Sequence, residues 1–244
     1  MNATAEAKPV KKLRASELVF DTEVYPRTMV NQSHVAQMAE AMRAGEQFPP
    51  LVVDKKTKRI VDGVNRWTAY QQVFGEDIEI ECELVSPNTD GELFLLAVQL
   101  NTAHGLQLTP FERTKSLLRL EELGISRESA FHALRMTVEA GERMAQARTA
   151  YRALPGGHQQ AVALKGSMTQ FAGTVLTEKQ ERANKIVGGL RVHYYINQLV
   201  AFLEAGVLEH VGDEMFEKCV KLHALLGEEL NEARHTRGKK AKAR

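Results

Sequence analysis

Two cysteines in 244 residues, Cys82 and Cys219, are too few and too far apart for a disulfide scaffold or a zinc site. No apolar run approaches the ~18 residues of a membrane span. The start, Met1-Asn2-Ala3-Thr4-Ala5-Glu6, has no apolar signal core, so a cytoplasmic protein is expected. Walker P-loop, Gly-x-Gly-x-x-Gly and Ser-His-Asp patterns are missing, and the eight histidines do not fall at metal spacing. No catalytic residue and no metal ligand is therefore assigned. Positive charge is missing from one long stretch. Between Trp67 and Phe111 there is no Lys or Arg, against Glu76, Asp77, Glu79, Glu81, Glu83, Asp90 and Glu92.

The basic residues sit elsewhere. From Arg143 to Arg191, eight of them face only Glu178 and Glu181, and Arg234 to Arg244 hold six more with no acid. A net charge of +1 hides this segregation, which suits a polyanionic partner for the C-terminal half. An ordinary solvated surface gives the same totals. With 43% apolar and 26% charged residues, the composition is that of a globular chain.

The stretch that organises the rest is Ile60-Val61-Asp62-Gly63-Val64-Asn65-Arg66-Trp67. An apolar strand ends at Asp62, Gly63 permits a tight reversal, and Arg66 lies in the first turn of a helix closed by Gly75. Free N–H groups and the helix dipole favour an anion there, and arginine can fork onto a phosphate. Residues 1–9 read as disordered. Val10–Leu13 reads as a strand and Val35–Met42 as a helix face capped by Asn31 or Ser33. Leu51–Val53 pairs with Arg59–Val61 as a hairpin, and Ile78, Ile80, Cys82 and Leu84 alternate with Glu79, Glu81 and Glu83. This is a compact α+β unit.

From Asn88 onward nothing reads as strand. Leu93–Leu100 forms a helix face, and Thr109-Pro110-Phe111-Glu112 is a capping box opening another helix. Ser126 caps a short helix, and Thr137 a second, with Ala140, Met144, Ala147 and Tyr151 inward and Arg143 and Arg148 outward. That order is the helix-turn-helix layout, and an ordinary pair of bundle helices is the alternative. Leu154-Pro155-Gly156-Gly157 is a break. Helices are expected over His158–Leu164, Met168–Leu176, Thr177–Val187, Tyr194–Ala205 and Asp213–Glu232.

Several of these pieces occur in the order of a known family. The N-terminal unit resembles the ParB/sulfiredoxin-like domain. Tyr25-Pro26-Arg27 resembles its first box, Asp62-Gly63-Val64-Asn65-Arg66 its second, and Asn101 with Leu108-Thr109-Pro110-Phe111-Glu112-Arg113 its third. The resemblance covers about residues 10–150 and implies that Arg27, Gly63, Asn65, Arg66 and Asn101 border a nucleoside triphosphate, CTP in partition proteins. Leu100 replaces the acidic residue that helps hold magnesium there, which argues against the metal. Val64 replaces the reactive cysteine of sulfiredoxin, which excludes that chemistry.

The expected organisation is a disordered 1–9, a ParB/sulfiredoxin-like domain over 10–87 and an all-α helix-turn-helix domain over 88–153. A helical, dimerising region over 154–233 and a basic tail over 234–244 follow. The expected function is partition or transcription regulation. Thr137, Arg143 and Arg148 would contact double-stranded DNA, the chain would be a homodimer, and a partition ATPase is a further expected partner. The rival readings are a nuclease or nucleotide hydrolase, and a protein-interaction module without DNA.

Overall fold

The computed structural model describes residues 10–103, 106–186 and 192–242. Residues 1–9, His104 and Gly105, and the last two residues of the basic tail lie outside them. Two compact units are present, up to Gly189 and from Leu190.

The first unit opens with a four-stranded sheet in the order β1-β4-β2-β3, with strands β1 (Val10–Arg14), β2 (Leu51–Asp54), β3 (Ile60–Asp62) and β4 (Glu79–Val85). β1 is antiparallel to β4, β4 parallel to β2, and β2 antiparallel to β3. Alternation places Ile80 and Cys82 in the core and Glu79 and Glu81 in solvent. Helices α1 (Gln32–Arg43) and α2 (Val64–Phe74) pack together through Val35, Ala39 and Ala69. The Asn31 side chain caps α1, accepting from His34 N. Trp67 anchors α2, its indole N–H donating to Ala15 O at 3.0 Å.

α3 (Asp90–Ala103) covers the sheet, burying Leu93 and Ala97 against Val52 and Val61. It also shares a second core with α4 (Pro110–Glu122), α5 (Arg127–Ala133) and α6 (Val138–Arg148), built on Phe94, Val98, Leu117, Leu120, Phe131 and Leu134. The expected caps form: Thr109 with Glu112 as a reciprocal box, Ser126 on α5 and Thr137 on α6.

The expectation that no strand follows Asn88 is corrected. α6 ends at Arg148, and β5 (Thr149–Ala153), β6 (Gln159–Ala163) and β7 (Val175–Leu176) form a second sheet in the order β6-β5-β7. The region after α6 is thus not all helical. Tyr151 is not on the inner face of a helix but exposed on a strand, with Ala150 buried beside it. Pro155-Gly156-Gly157 closes a hairpin, with Leu154 N donating to His158 O at 2.8 Å. A short run such as Ala161-Val162-Ala163-Leu164 is ambiguous between helix and strand by periodicity alone. α7 (Glu178–Ile186) then starts at Thr177, whose hydroxyl accepts from Gln180 N.

The second unit holds α8 (Val192–Glu204) and α9 (Asp213–Lys242). α9 passes Glu232, so the segment expected as a tail from Arg234 continues the helix to Lys242. Val220, Leu222, Leu226 and Leu230 are exposed along α9. Among the described residues no helix is long and apolar enough to cross a membrane.

Candidate functional site

Gly63 has φ +98°, the left-handed region that glycine adopts without steric cost. A Cβ there would lie 2.5 Å from Leu51 Cδ2, so no other residue fits the turn from β3 into α2. No side chain caps α2, which leaves its first-turn N–H groups for another acceptor. This helix start opens into a cleft of about 430 Å³. Arg27, Gly63, Asn65, Arg66 and Asn101, the five residues expected at a nucleotide site, all line it. Tyr25, Asp62 and Glu83 line it as well.

The two arginines are held differently. Arg66 is pinned: Nη2 meets Asp62 Oδ2 at 2.7 Å, and Nη1 donates to Pro49 O and Pro50 O at 2.7 and 3.1 Å. It laces the Pro-Pro segment to the glycine turn, and a phosphate would have to share it with Asp62. Arg27 is half-buried and crosses to the other wall of the cleft. Its Nε donates to Asn101 Oδ1 at 3.1 Å and its Nη2 to Leu106 O at 2.5 Å. Asn101 is buried, and its amide donates to Ala97 O within α3, which fixes the orientation of the oxygen that Arg27 uses. Asn65 Oδ1 accepts from Asn31 N at 3.3 Å and so ties α2 to the cap of α1. Burial pushes the Tyr25 phenol up to about 12, the nearby Arg27 charge working against it, so it stays a neutral donor at physiological pH.

The loop that carries Arg27 is also fastened to α4. Glu112 accepts at one oxygen from Thr28 N and Thr28 Oγ1 (2.9 and 3.1 Å), and at the other from Thr109 N and Thr109 Oγ1 (2.8 and 2.9 Å). Burial alone would raise its pKa, but these donors outweigh it and hold the carboxyl below its ordinary value.

On α6, Arg143 projects into solvent, while Arg148 is half-buried at the helix end. Thr137 is exposed, but its hydroxyl is engaged in accepting from Ala140 N at 3.2 Å. Of the expected inner face Met144 does pack on the core, but Gly141 and Ala145 are the buried positions, whereas Ala147 is exposed. The outward face therefore also presents Val138 and Gln146, which sequence reasoning passed over. Gln146 stands three residues after Arg143, a spacing that puts both on one side of a helix.

Residues 1–97 match the ParB N-terminal domain family. Over that stretch the chain is similar to ParB N-terminal domains. The transcriptional regulator NovG of Streptomyces niveus is 37% identical over 108 residues, 44% of this chain and 30% of NovG. The chain thus spans under a third of that relative's length. Among solved structures, C-terminally truncated ParB from Caulobacter crescentus on its centromeric parS site is similar over 56% of this chain and 71% of its own. Its TM-score is 0.43 at 13% identity. The same protein with CTP-gamma-S matches over 56% and 84%, with TM-score 0.35 at 17% identity. A pNOB8-like ParB N-domain matches over 78% and 64%, with TM-score 0.38 at 14% identity.

Proposed function

We propose that this protein is a ParB-type transcription regulator that binds duplex DNA through α6 and takes a nucleoside triphosphate, CTP first among the candidates, in the cleft at Gly63. One observation carries the reading. The cleft that gathers Arg27, Gly63, Arg66 and Asn101 is bonded through Arg27–Asn101 and Thr28–Glu112 to the helices that lead into α5 and α6. The uncapped start of α2 supplies N–H donors for a phosphate, and Arg27 places a positive charge in the same cleft. Leu100 stands where the family's metal-holding acid would be, so binding without magnesium is the expectation. The regulator name of NovG favours transcription over partition. Exposed Leu222, Leu226 and Leu230 on α9 support a homodimer, which would read two half-sites.

Calorimetric titration of the full chain with CTP, ATP, GTP and UTP tests the cleft. Arg27→Ala is expected to weaken CTP binding about tenfold or more, the size of a charged hydrogen bond. Arg27→Lys keeps the charge without the fork and should recover part of it. Absence of binding by all four nucleotides would remove the cleft from the proposal. For DNA, Arg143→Ala with Arg148→Ala is expected to cost about tenfold or more in affinity for a selected duplex. Unchanged binding by a folded double variant would return α5 and α6 to the role of plain bundle helices.

A further inference from the structure

The hairpin after α6 takes no part in the cleft at Gly63 or in the outward face of α6. Its base is sewn to the reading helix: β5 begins at the residue after Arg148, and Leu164 N donates to Arg148 O at 2.7 Å. Its direction follows from two contacts with α4. Just beyond the end of β6, the Lys165 ammonium lies 5.8 Å from the centre of the Phe111 ring, in the first turn of α4. Near the other end of β6, Gln160 Nε2 donates to Glu122 Oε1 at 2.8 Å, at the last residue of α4. β6 therefore runs antiparallel to α4, and the turn Leu154–His158 lies at the C-terminal end of that helix. α5 starts at the same end. There Arg127 Nε meets Glu121 of α4 at 3.2 Å and Glu142 of α6 at 3.3 Å. The hairpin tip, the start of α5 and the middle of α6 thus share one end of the unit.

The tip has the chemistry of a phosphate-facing loop. Residues 153–159 are all exposed. Gly156 and Gly157, at φ +82° and +80°, turn the exposed chain at the tip with no side chain in the way of the backbone. From Arg143 to Thr177, across the outer half of α6, the hairpin and β7, the chain contains no Asp or Glu. A carboxylate-free loop of small residues can approach the DNA backbone without like-charge repulsion, and backbone N–H groups are regular donors to phosphate oxygens.

We propose that the β5–β6 hairpin is a DNA-contacting wing, its Leu154–His158 tip resting on the phosphate backbone beside the groove that α6 enters. This rests on the DNA-binding reading above. The wing widens the footprint beyond the groove contacts of α6 and adds sequence-independent affinity.

The test uses the full chain and duplexes selected by it from a random pool. The tip variant His158→Glu with Gln159→Glu alters exposed positions only, and its melting curve is expected to match that of the parent. Its affinity is expected to fall about tenfold, with a shallower dependence of log K on log salt, because two acids set against phosphate lower the positive charge that the duplex meets. His158→Lys with Gln159→Lys should shift both quantities the other way. Gln72→Glu, on the exposed side of α2, controls for general charge and should change little. If duplex binding depends on Arg143 and Arg148 but ignores the tip charge, the wing is overturned and the DNA reading stands. If the pool yields no bound duplex at all, the DNA reading falls and the wing with it.

Discussion

Glu112→Ala is expected to lower the stability of the first unit by about 2–3 kcal/mol and to uncouple the cleft from the helices behind it. The side chain is 6% exposed and accepts from both Thr28 and Thr109. Removing it deletes the N-terminal capping box of α4, worth about 1 kcal/mol, and the tertiary link to the Arg27 loop. The full penalty of four orphaned donors does not apply, because Thr28 and Thr109 are exposed and water replaces the carboxylate. Chemical denaturation measures the first effect. The second is a loss of any change in CTP affinity on adding DNA. A pH series gives an independent check. The folded carboxyl titrates below its ordinary value, so its contribution is fully present above the unfolded pKa near 4.5. It is lost as pH falls below that value through the folded one. The Glu112→Ala variant should lack this part of the acid sensitivity. Equal stability of parent and variant at neutral pH would show that the loop is held by other contacts.

What could be read from residues alone was what local chemistry decides. Gly63 after an apolar run, the alternation from Ile78 to Leu84 and the box Thr109–Glu112 all depend on neighbours in sequence, and they formed as expected. Tertiary partners were not legible in the same way. Glu112 reads as a cap from its spacing to Thr109, but nothing local points to Thr28, 84 residues upstream. Arg66 reads as a free fork, whereas Asp62 and the carbonyls of Pro49 and Pro50 occupy it. The hairpin at Thr149–Ala163 was hidden by alanines, which satisfy helix and strand patterns alike. The five cleft residues converge even so, since the order of the boxes along the chain already implied which turns and helices meet.

Gly141→Ala is expected to destabilise the α5–α6 pair, although the same change in an exposed helix would stabilise it by up to about 1 kcal/mol. Glycine inside a helix looks like a weakness, and the expected inner face of Ala140, Met144 and Ala147 passed over Gly141. The structure supplies the reason for glycine. The Phe131 ring takes the space a Gly141 side chain would need: an added Cβ would sit 2.3 Å from Cδ1 and 2.4 Å from Cε1. Phe131 is 2% exposed and belongs to the core with Leu117, Leu120 and Leu134, so the ring has nowhere to swing. The helices must part instead, and overpacking of this kind costs about 1–3 kcal/mol, more than the propensity gain returns. A melting temperature lower by about 2–8 °C follows for a unit of this size. Because the displaced helix is the one that carries Arg143, duplex affinity should fall as well. Gly166→Ala is the matched control: nothing lies within 4 Å of a Cβ there, so its melting temperature should stay near that of the parent. A Gly141→Ala protein as stable as the Gly166→Ala protein would mean that Phe131 has another place to go, and that the close approach of α5 to α6 is not what positions α6.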